Sequence, residues 1–523
     1  MNLTVTTTSG TFEGTTSRDT RRWSGIPYAH PPVGADRFQA PRPFEATTNN
    51  DPLPATRFSN PAPQFNPLGD GPKRTQDPNW LTVNVWAPLE PVENAPVMVW
   101  IHGGAYVEGS ATNPLYIGAV FAQMGVVFVS VNYRLGIEGF MEFPDAPSNR
   151  GLLDQAQALR WVRTNAQAFG GDPANVTVFG ESAGAGSIHC LLVMPEAQGL
   201  CDRTILQSPP AMVLEKELAQ DVTAEFAAHA TQMGLPVTEP TAQSFANLTP
   251  EQGEELMVAF SQGQGRYFPR WGKAAAFTPP LVPVVDGTVL PADPWSLPLP
   301  DGVDVLVGHT RDEFRLFTNL MNAEVTKERA YERVGMVGPG SQILEDAQGD
   351  TGDLADAQSQ ARKLSIKYIK AVGDVTPEQL FEWVQTDYMF TVPALLVADA
   401  AQKRGAPAYS FLLAVDPDGG MGSPHVADLP PLFDSFRSFH GQMLYPNPSE
   451  ADHALGQRMR EAWVQFAHTG NPGWEPWMRE QPTTRIFGYE DRTCPHPFMG
   501  RFTAFDHAPS RALRLLGRNE RAS

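Results

Sequence analysis

Residues 176–184 read Val-Thr-Val-Phe-Gly-Glu-Ser-Ala-Gly, and no other stretch limits the possible folds as tightly. A β-branched run enters Gly180-Glu181-Ser182-Ala183-Gly184, and small residues continue into a stretch suited to a helix. A strand that passes into a helix through G-x-S-x-G places its serine on a corner so sharp that the backbone there is strained. Bulk at Gly180 or Gly184 would collide with neighbouring backbone, so both are glycine. The corner lifts the Ser182 hydroxyl above a sheet edge and points the first amides of the helix at a reacting carbon. The pattern predicts an activated serine on an α/β scaffold.

The rest of the chain fits that scaffold. Continuous apolar runs occur at residues 97–101, 126–131, 176–179, 204–206, 303–307 and 409–413. Unbroken runs of this length indicate strands buried on both faces, hence a mostly parallel sheet covered by helices. Helical patterns lie between them, as at residues 152–169, where Leu152, Ala156, Leu159 and Val162 share one face. Alternating strands and helices predict a doubly wound α/β architecture. Residues 212–300 and 315–405 interrupt the strand rhythm with helix formers, and predict helical excursions above the carboxyl ends of the strands, where such sheets bind ligands. A separate helical domain is the alternative; the expectation is a single domain over residues 1–523.

Composition removes several function classes. The formal net charge is -19 over 523 residues, which repels phosphate backbones and argues against nucleic-acid binding. The three cysteines, Cys190, Cys201 and Cys494, are too few and too odd in number for a disulfide framework, and no Cys190–Cys201 bridge is expected. The first residues carry neither a basic nor an apolar leader segment, and no run approaches the ~18 apolar residues of a membrane span. A cytoplasmic location is expected. There is no H-E-x-x-H, no C-x-x-C and no G-x-x-x-x-G-K-[ST], so no metal or cofactor is expected.

A serine hydroxyl needs a base, an acid to orient the base, and donors for the developing oxyanion. Trp100-Ile101-His102-Gly103-Gly104-Ala105-Tyr106 follows an early buried run, and its small residues let backbone N–H groups approach a tetrahedral oxygen. The acid and the histidine follow the serine in chain order on such scaffolds. The segment Gly308-His309-Thr310-Arg311-Asp312-Glu313 offers two adjacent acids that sequence logic alone does not separate. Among eleven histidines, His425 lies downstream of both acids, with His440 as its rival.

The chain resembles the type-B carboxylesterase family, which includes cholinesterases and bacterial p-nitrobenzyl-type esterases. The resemblance rests on residues 25–34 (Gly-Ile-Pro-Tyr-Ala-His-Pro-Pro-Val-Gly), 132–136 (Asn-Tyr-Arg-Leu-Gly), 151–155 (Gly-Leu-Leu-Asp-Gln), Gln207-Ser208 and 462–472, besides the serine corner. It runs almost end to end and implies an α/β-hydrolase fold with helical insertions over the active site. It further implies Ser182, Glu313 and His425 as the catalytic triad, and Gly104, Ala105 and Ala183 as oxyanion donors. The expected activity is hydrolysis of small-molecule carboxylic esters, with short-to-medium acyl or aryl groups, through an acyl-enzyme.

Departures from the family pattern sharpen these expectations. Asp428 stands where the family's His-x-x-Glu-Leu-Pro segment has glutamate, and Pro78-Asn79-Trp80-Leu81 stands where a cysteine is common. The loop at residues 61–77 has no tryptophan to hold a quaternary ammonium, so choline esters are not expected. Ser208 is expected to support the triad, and Arg134 with Asp154 to form a structural ion pair. Tyr106, Phe268, Trp271, Phe277, Phe314 and Phe317 are candidates for pocket walls. The same machinery would also serve a carbamate or activated-amide hydrolase. A non-catalytic binding module, the remaining alternative, would lack part of the triad. The sequence carries no signal for oligomeric state.

Overall fold

The computed structural model describes residues 3–46, 51–66, 77–277, 279–321, 324–349, 354–505 and 511–516. Its centre is an eleven-stranded sheet. In chain order the strands are β1 (Thr15–Ser17), β2 (Thr20–Pro27), β3 (Thr82–Pro88), β4 (Ala95–Ile101), β5 (Val127–Val131), β6 (Gly171–Glu181), β7 (Arg203–Gln207), β8 (Asp304–Thr310), β9 (Ala408–Leu413), β10 (Thr483–Phe487) and β11 (Arg492–Pro495). In space they run β11-β10-β9-β8-β7-β6-β4-β5-β3-β2-β1. Every pairing from β5 to β10 is parallel. The outer pairings, β1 with β2, β2 with β3, β3 with β5 and β10 with β11, are antiparallel. The architecture is the expected one: an α/β-hydrolase fold with a mostly parallel sheet between helices.

The continuous apolar runs form the parallel centre because each strand feeds two cores at once. Along β4, Val97, Val99 and Ile101 join the core on one face, while Met98 and Trp100 join the core on the other. The period of two is present, but both phases are apolar. The first core takes Leu152, Ala156 and Leu159 from the helix Arg150–Asn165, and Ala185 and Ile188 from the helix Ala183–Val193. The second takes Leu455, Met459, Trp463 and Phe466 from the helix Glu450–Thr469. That helix starts at a capping box between Ser449 and Asp452 and stops at Gly470, whose φ is 75°.

Residues 212–300 hold the helices Lys216–Gln232 and Pro250–Ser261. Residues 315–405 hold Arg315–Met321, Lys327–Val337, Ser341–Gly349, Leu354–Val372, Pro377–Thr386 and Val392–Lys403. Among the described residues no helix is long and apolar enough to cross a membrane, and the three cysteines are unbonded.

Parallel strands present their carboxyl ends along one edge. Four of those ends carry the candidate site: β4 leads into His102-Gly103-Gly104-Ala105, β6 into Ser182, β8 into Glu313, and β9 into the loop that reaches His425.

Candidate active site

Ser182 occupies φ 55°, ψ −126°, a conformation costly for any residue with a side chain. The surrounding backbone imposes it. A Cβ on Gly184 would lie 2.1 Å from the Ile101 carbonyl oxygen and 2.9 Å from that of His102; one on Gly180 would lie 2.5 Å from the Ile101 oxygen. Neither glycine tolerates a side chain, so the end of β4 presses directly on the strand–helix corner. The Ser182 N–H donates to the Gln207 carbonyl at 2.9 Å, tying the corner to β7 as well. Glu181 and Ala183 are buried, whereas Ser182 keeps part of its surface.

The turn after β4 lies beside the serine. A Cβ on Gly103 would sit 3.1 Å from Ser182 Cβ. Gly104, Ala105 and Tyr106 all have positive φ (108°, 51° and 65°), and the Gly104 carbonyl accepts the Val107 and Glu108 N–H groups. These two bonds close the turn on the Gly104 carbonyl. His102 braces it. Its Nδ1 lies 2.8 Å from the Gly103 carbonyl, its ring stacks on Tyr133 at 4.4 Å, and burial holds its imidazole down at about 4, so it stays neutral. Ala183 opens the helix Ala183–Val193, where first-turn N–H groups have no intrahelical partner.

The two adjacent acids part company. Asp312 accepts from the Ser423 N–H at 3.0 Å and lies 2.8 Å from Arg311 and 3.3 Å from Arg315. Glu313 is fully buried and turns the other way: His425 Nδ1 lies 2.5 Å from its Oε2. Its Oε1 accepts from the Ser208 hydroxyl at 2.6 Å and from the Thr310 N–H at 2.7 Å. Burial pushes the Glu313 carboxyl upward, but His425 and the Ser208 hydrogen bond outweigh it and hold the group ionised, below its ordinary value. His440 lies on the helix Phe439–Leu444 and makes no contact with these groups.

His425 joins Glu313 as expected, but its Nε2 faces Glu181, 3.2 Å from Oε1. Among the described residues there is no hydrogen bond between His425 and the Ser182 hydroxyl. Glu181 is buried, and desolvation pushes its carboxyl up to about 8 against the opposing pull of His425. Burial disfavours the charged imidazole of His425, yet Glu181 and Glu313 together raise it to about 9. Asp428 is fully buried and accepts from Gln207 Nε2 at 2.6 Å, while Gln207 Oε1 accepts from Trp463 Nε1. Burial pushes Asp428 up to about 6. Three carboxyl groups thus surround one imidazole.

Of the six aromatic wall candidates, Phe317 comes to the site, 5.4 Å from the His425 ring, and packs beside Phe314. Phe390, not singled out from the sequence, lies closer at 4.5 Å, on a turn of π-helix at Asp387–Thr391. Tyr106, Trp271 and Phe277 are core residues, and Phe268 is exposed. Arg134 and Asp154 form the anticipated ion pair, fully buried and doubly bonded, with both contacts at 2.7 Å. Part of the loop at residues 61–77, namely 67–76, lies outside the described residues.

The profile of the carboxylesterase family matches residues 1–487. The chain belongs to that family. The enzyme is 36% identical to the para-nitrobenzyl esterase of Bacillus subtilis (strain 168), over 93% of this chain and 95% of that protein. It is 30% identical to the phenmedipham hydrolase of Pseudarthrobacter oxydans, over 92% and 94%. A solved PNB esterase superposes with a TM-score of 0.77 at 31% identity, covering 97% of this chain and all of its own. A Geobacillus stearothermophilus carboxylesterase gives the same TM-score at 28% identity. This carboxylesterase is accordingly a carboxylic-ester hydrolase, as the sequence motifs implied.

Proposed function

We propose that the enzyme cleaves small-molecule esters by covalent catalysis at Ser182, with His425 as general base and acid and Glu313 as the acid that orients it. The observation that carries this reading is the 2.5 Å contact between Glu313 and His425 Nδ1, beside a strained serine and a positive-φ turn. With Nδ1–H given to Glu313, the neutral form of His425 presents its Nε2 lone pair toward Glu181, the residue beside Ser182. The reading requires Ser182 Oγ to reach Nε2 in place of Glu181 Oε1; such bonds commonly tighten only once substrate is bound.

Attack of Oγ on the ester carbonyl then transfers its proton to His425, and the amides of Gly104, Ala105 and Ala183 hold the oxyanion. His425 returns the proton to the departing alcohol. Water, deprotonated by the same imidazole, releases the acid and regenerates Ser182. Ser182→Ala is expected to lower kcat on p-nitrophenyl butyrate by about 10⁴–10⁶. Retention of wild-type turnover, or failure of an organophosphate fluoride to label wild-type enzyme at one site, would refute the assignment. Carbamates and activated amides would use the same groups; relative rates on an aryl carbamate and its matching ester decide between them. We place the enzyme in the cytoplasm on its few, unpaired cysteines, and read the helices of residues 212–300 and 315–405 as a cap belonging to one domain.

A further inference from the structure

Behind Glu313 lies a buried pair of imidazoles. His309 sits near the end of β8 and His496 directly follows β11; both are buried, and their Nε2 atoms face each other at 3.2 Å. The bonds at either end decide which nitrogen carries each hydrogen. The Phe498 N–H donates to His496 Nδ1 at 3.3 Å, so His496 bears its hydrogen on Nε2 and donates it to His309 Nε2. His309 therefore bears its hydrogen on Nδ1, which it donates to the Thr310 carbonyl at 2.8 Å. The Thr310 N–H in turn donates to Glu313 Oε1 at 2.7 Å. Directed hydrogen bonds thus run from Phe498 to residue Thr310, whose own amide holds the carboxylate that orients His425.

The two facing nitrogens have room for one hydrogen between them. A second would set two N–H groups against each other, with Arg501 adding positive charge nearby and Glu313 the facing negative charge. Burial keeps both rings neutral: it holds His309 down at about 4, and His496 well below the usual imidazole range.

The segment supplying His496 lies beyond residues 1–487, to which the carboxylesterase profile applies. It makes a second buried contact with the site's supports. Arg501 lies 3.1 Å from Asp387, with its guanidinium 3.9 Å over Phe498 and 4.7 Å over Trp383. Asp387 opens the turn that sets Phe390 against His425. The same short segment therefore braces both the acid's loop and the packing of the base.

We propose that His496 is a positioning residue for ester hydrolysis, acting through His309 on the loop that carries Glu313. The proposal rests on the Ser182–His425–Glu313 reading above. It is tested with kcat, KM and thermal midpoint on p-nitrophenyl butyrate for His496→Leu, His496→Gln, the double variant His309→Leu/His496→Leu, and Ser182→Ala. His496→Leu orphans His309 Nε2 and loosens its hold on Thr310, so kcat is expected to fall about ten-fold with KM within about two-fold, as for a displaced catalytic group. His496→Gln places an amide N–H where Nε2–H stood and is expected to recover most of kcat. The double variant removes the unpaired His309 imidazole, although the Phe498 N–H and the Thr310 carbonyl lose their partners, so its midpoint is expected at or above that of His496→Leu while kcat stays low. It carries the test if the single leucine variant does not fold. The proposal is overturned if the leucine variants keep kcat within about two-fold of wild type, or if kcat merely follows the thermal midpoint and glutamine restores nothing. Retained activity in Ser182→Ala would instead sink the triad reading, and this proposal with it.

Discussion

Glu181→Gln isolates the most unusual contact in the site. The substitution keeps the side-chain shape and removes one negative charge 3.2 Å from His425 Nε2. At an effective dielectric near 20, a full charge at that distance stabilises the imidazolium by at most about 5 kcal/mol, or roughly 3–4 pH units. Burial pushes the Glu181 carboxyl up, toward its neutral form, so the charge removed is fractional and the shift realised is smaller than that ceiling. A shift of about 1–2 units remains. The sign follows from the proposed role of His425, which must be neutral to accept the serine proton. Removing a nearby anion makes the imidazolium less favourable, so the group titrates lower. The acid limb of kcat/KM is expected to move about 1–2 units toward lower pH. The assay is kcat/KM for p-nitrophenyl butyrate from about pH 5 to pH 10, wild type beside variant. An unmoved limb would mean that Glu181 does not act on the working base. A limb moved upward would reverse the electrostatics entirely.

Further outcomes follow from single contacts. Glu313→Gln is expected to lower kcat by about 10²–10⁴, because the amide no longer holds the Nδ1–H tautomer of His425. Asp312→Asn, whose carboxyl serves arginines, should leave kcat within about three-fold; equal losses in the two variants would refute the division of labour. Asp154→Asn leaves the Arg134 charge buried with half its partner and is expected to cost about 3–5 kcal/mol in urea unfolding. Gly184→Ala drives a methyl to 2.1 Å from a carbonyl oxygen, so soluble yield should collapse; a folded, active variant would contradict the packing at the corner.

The central strands were legible because both of their faces are apolar, which leaves an unbroken signal. The antiparallel flanks were not. In β3, Asn84 interrupts the run Val83-Asn84-Val85, yet it is fully buried, with hydrogen bonds to Gly25 and Ser130. β2 and β11 carry Arg and Pro, which break the apolar signal. The G-x-S-x-G corner declared its geometry in advance because only glycine fits there. Glu313 and Asp312, by contrast, differ in direction rather than type, and direction comes from strand β8. Glu181 was visible within the motif, but its approach to His425 depends on a loop 244 residues away in sequence. Phe390 gave no signal, since an aromatic in a helical stretch usually enters the core; here a π-helical turn redirects it. The His309–His496 contact spans 187 residues and carries no local pattern at all.

A single peptide bond at the tip of β4 fixes the scale of the whole catalytic apparatus. The Ile101 carbonyl abuts both glycines flanking Ser182, and the next residues form the turn proposed to cradle the oxyanion. The proposed nucleophile and cradle are therefore gauged from one shared datum inside the sheet, independent of the helices of residues 212–300 and 315–405. If those helices form the proposed cap, their breathing is expected to alter how readily a substrate enters and leaves. The spacing between attacking oxygen and cradle should hold until the sheet itself gives way.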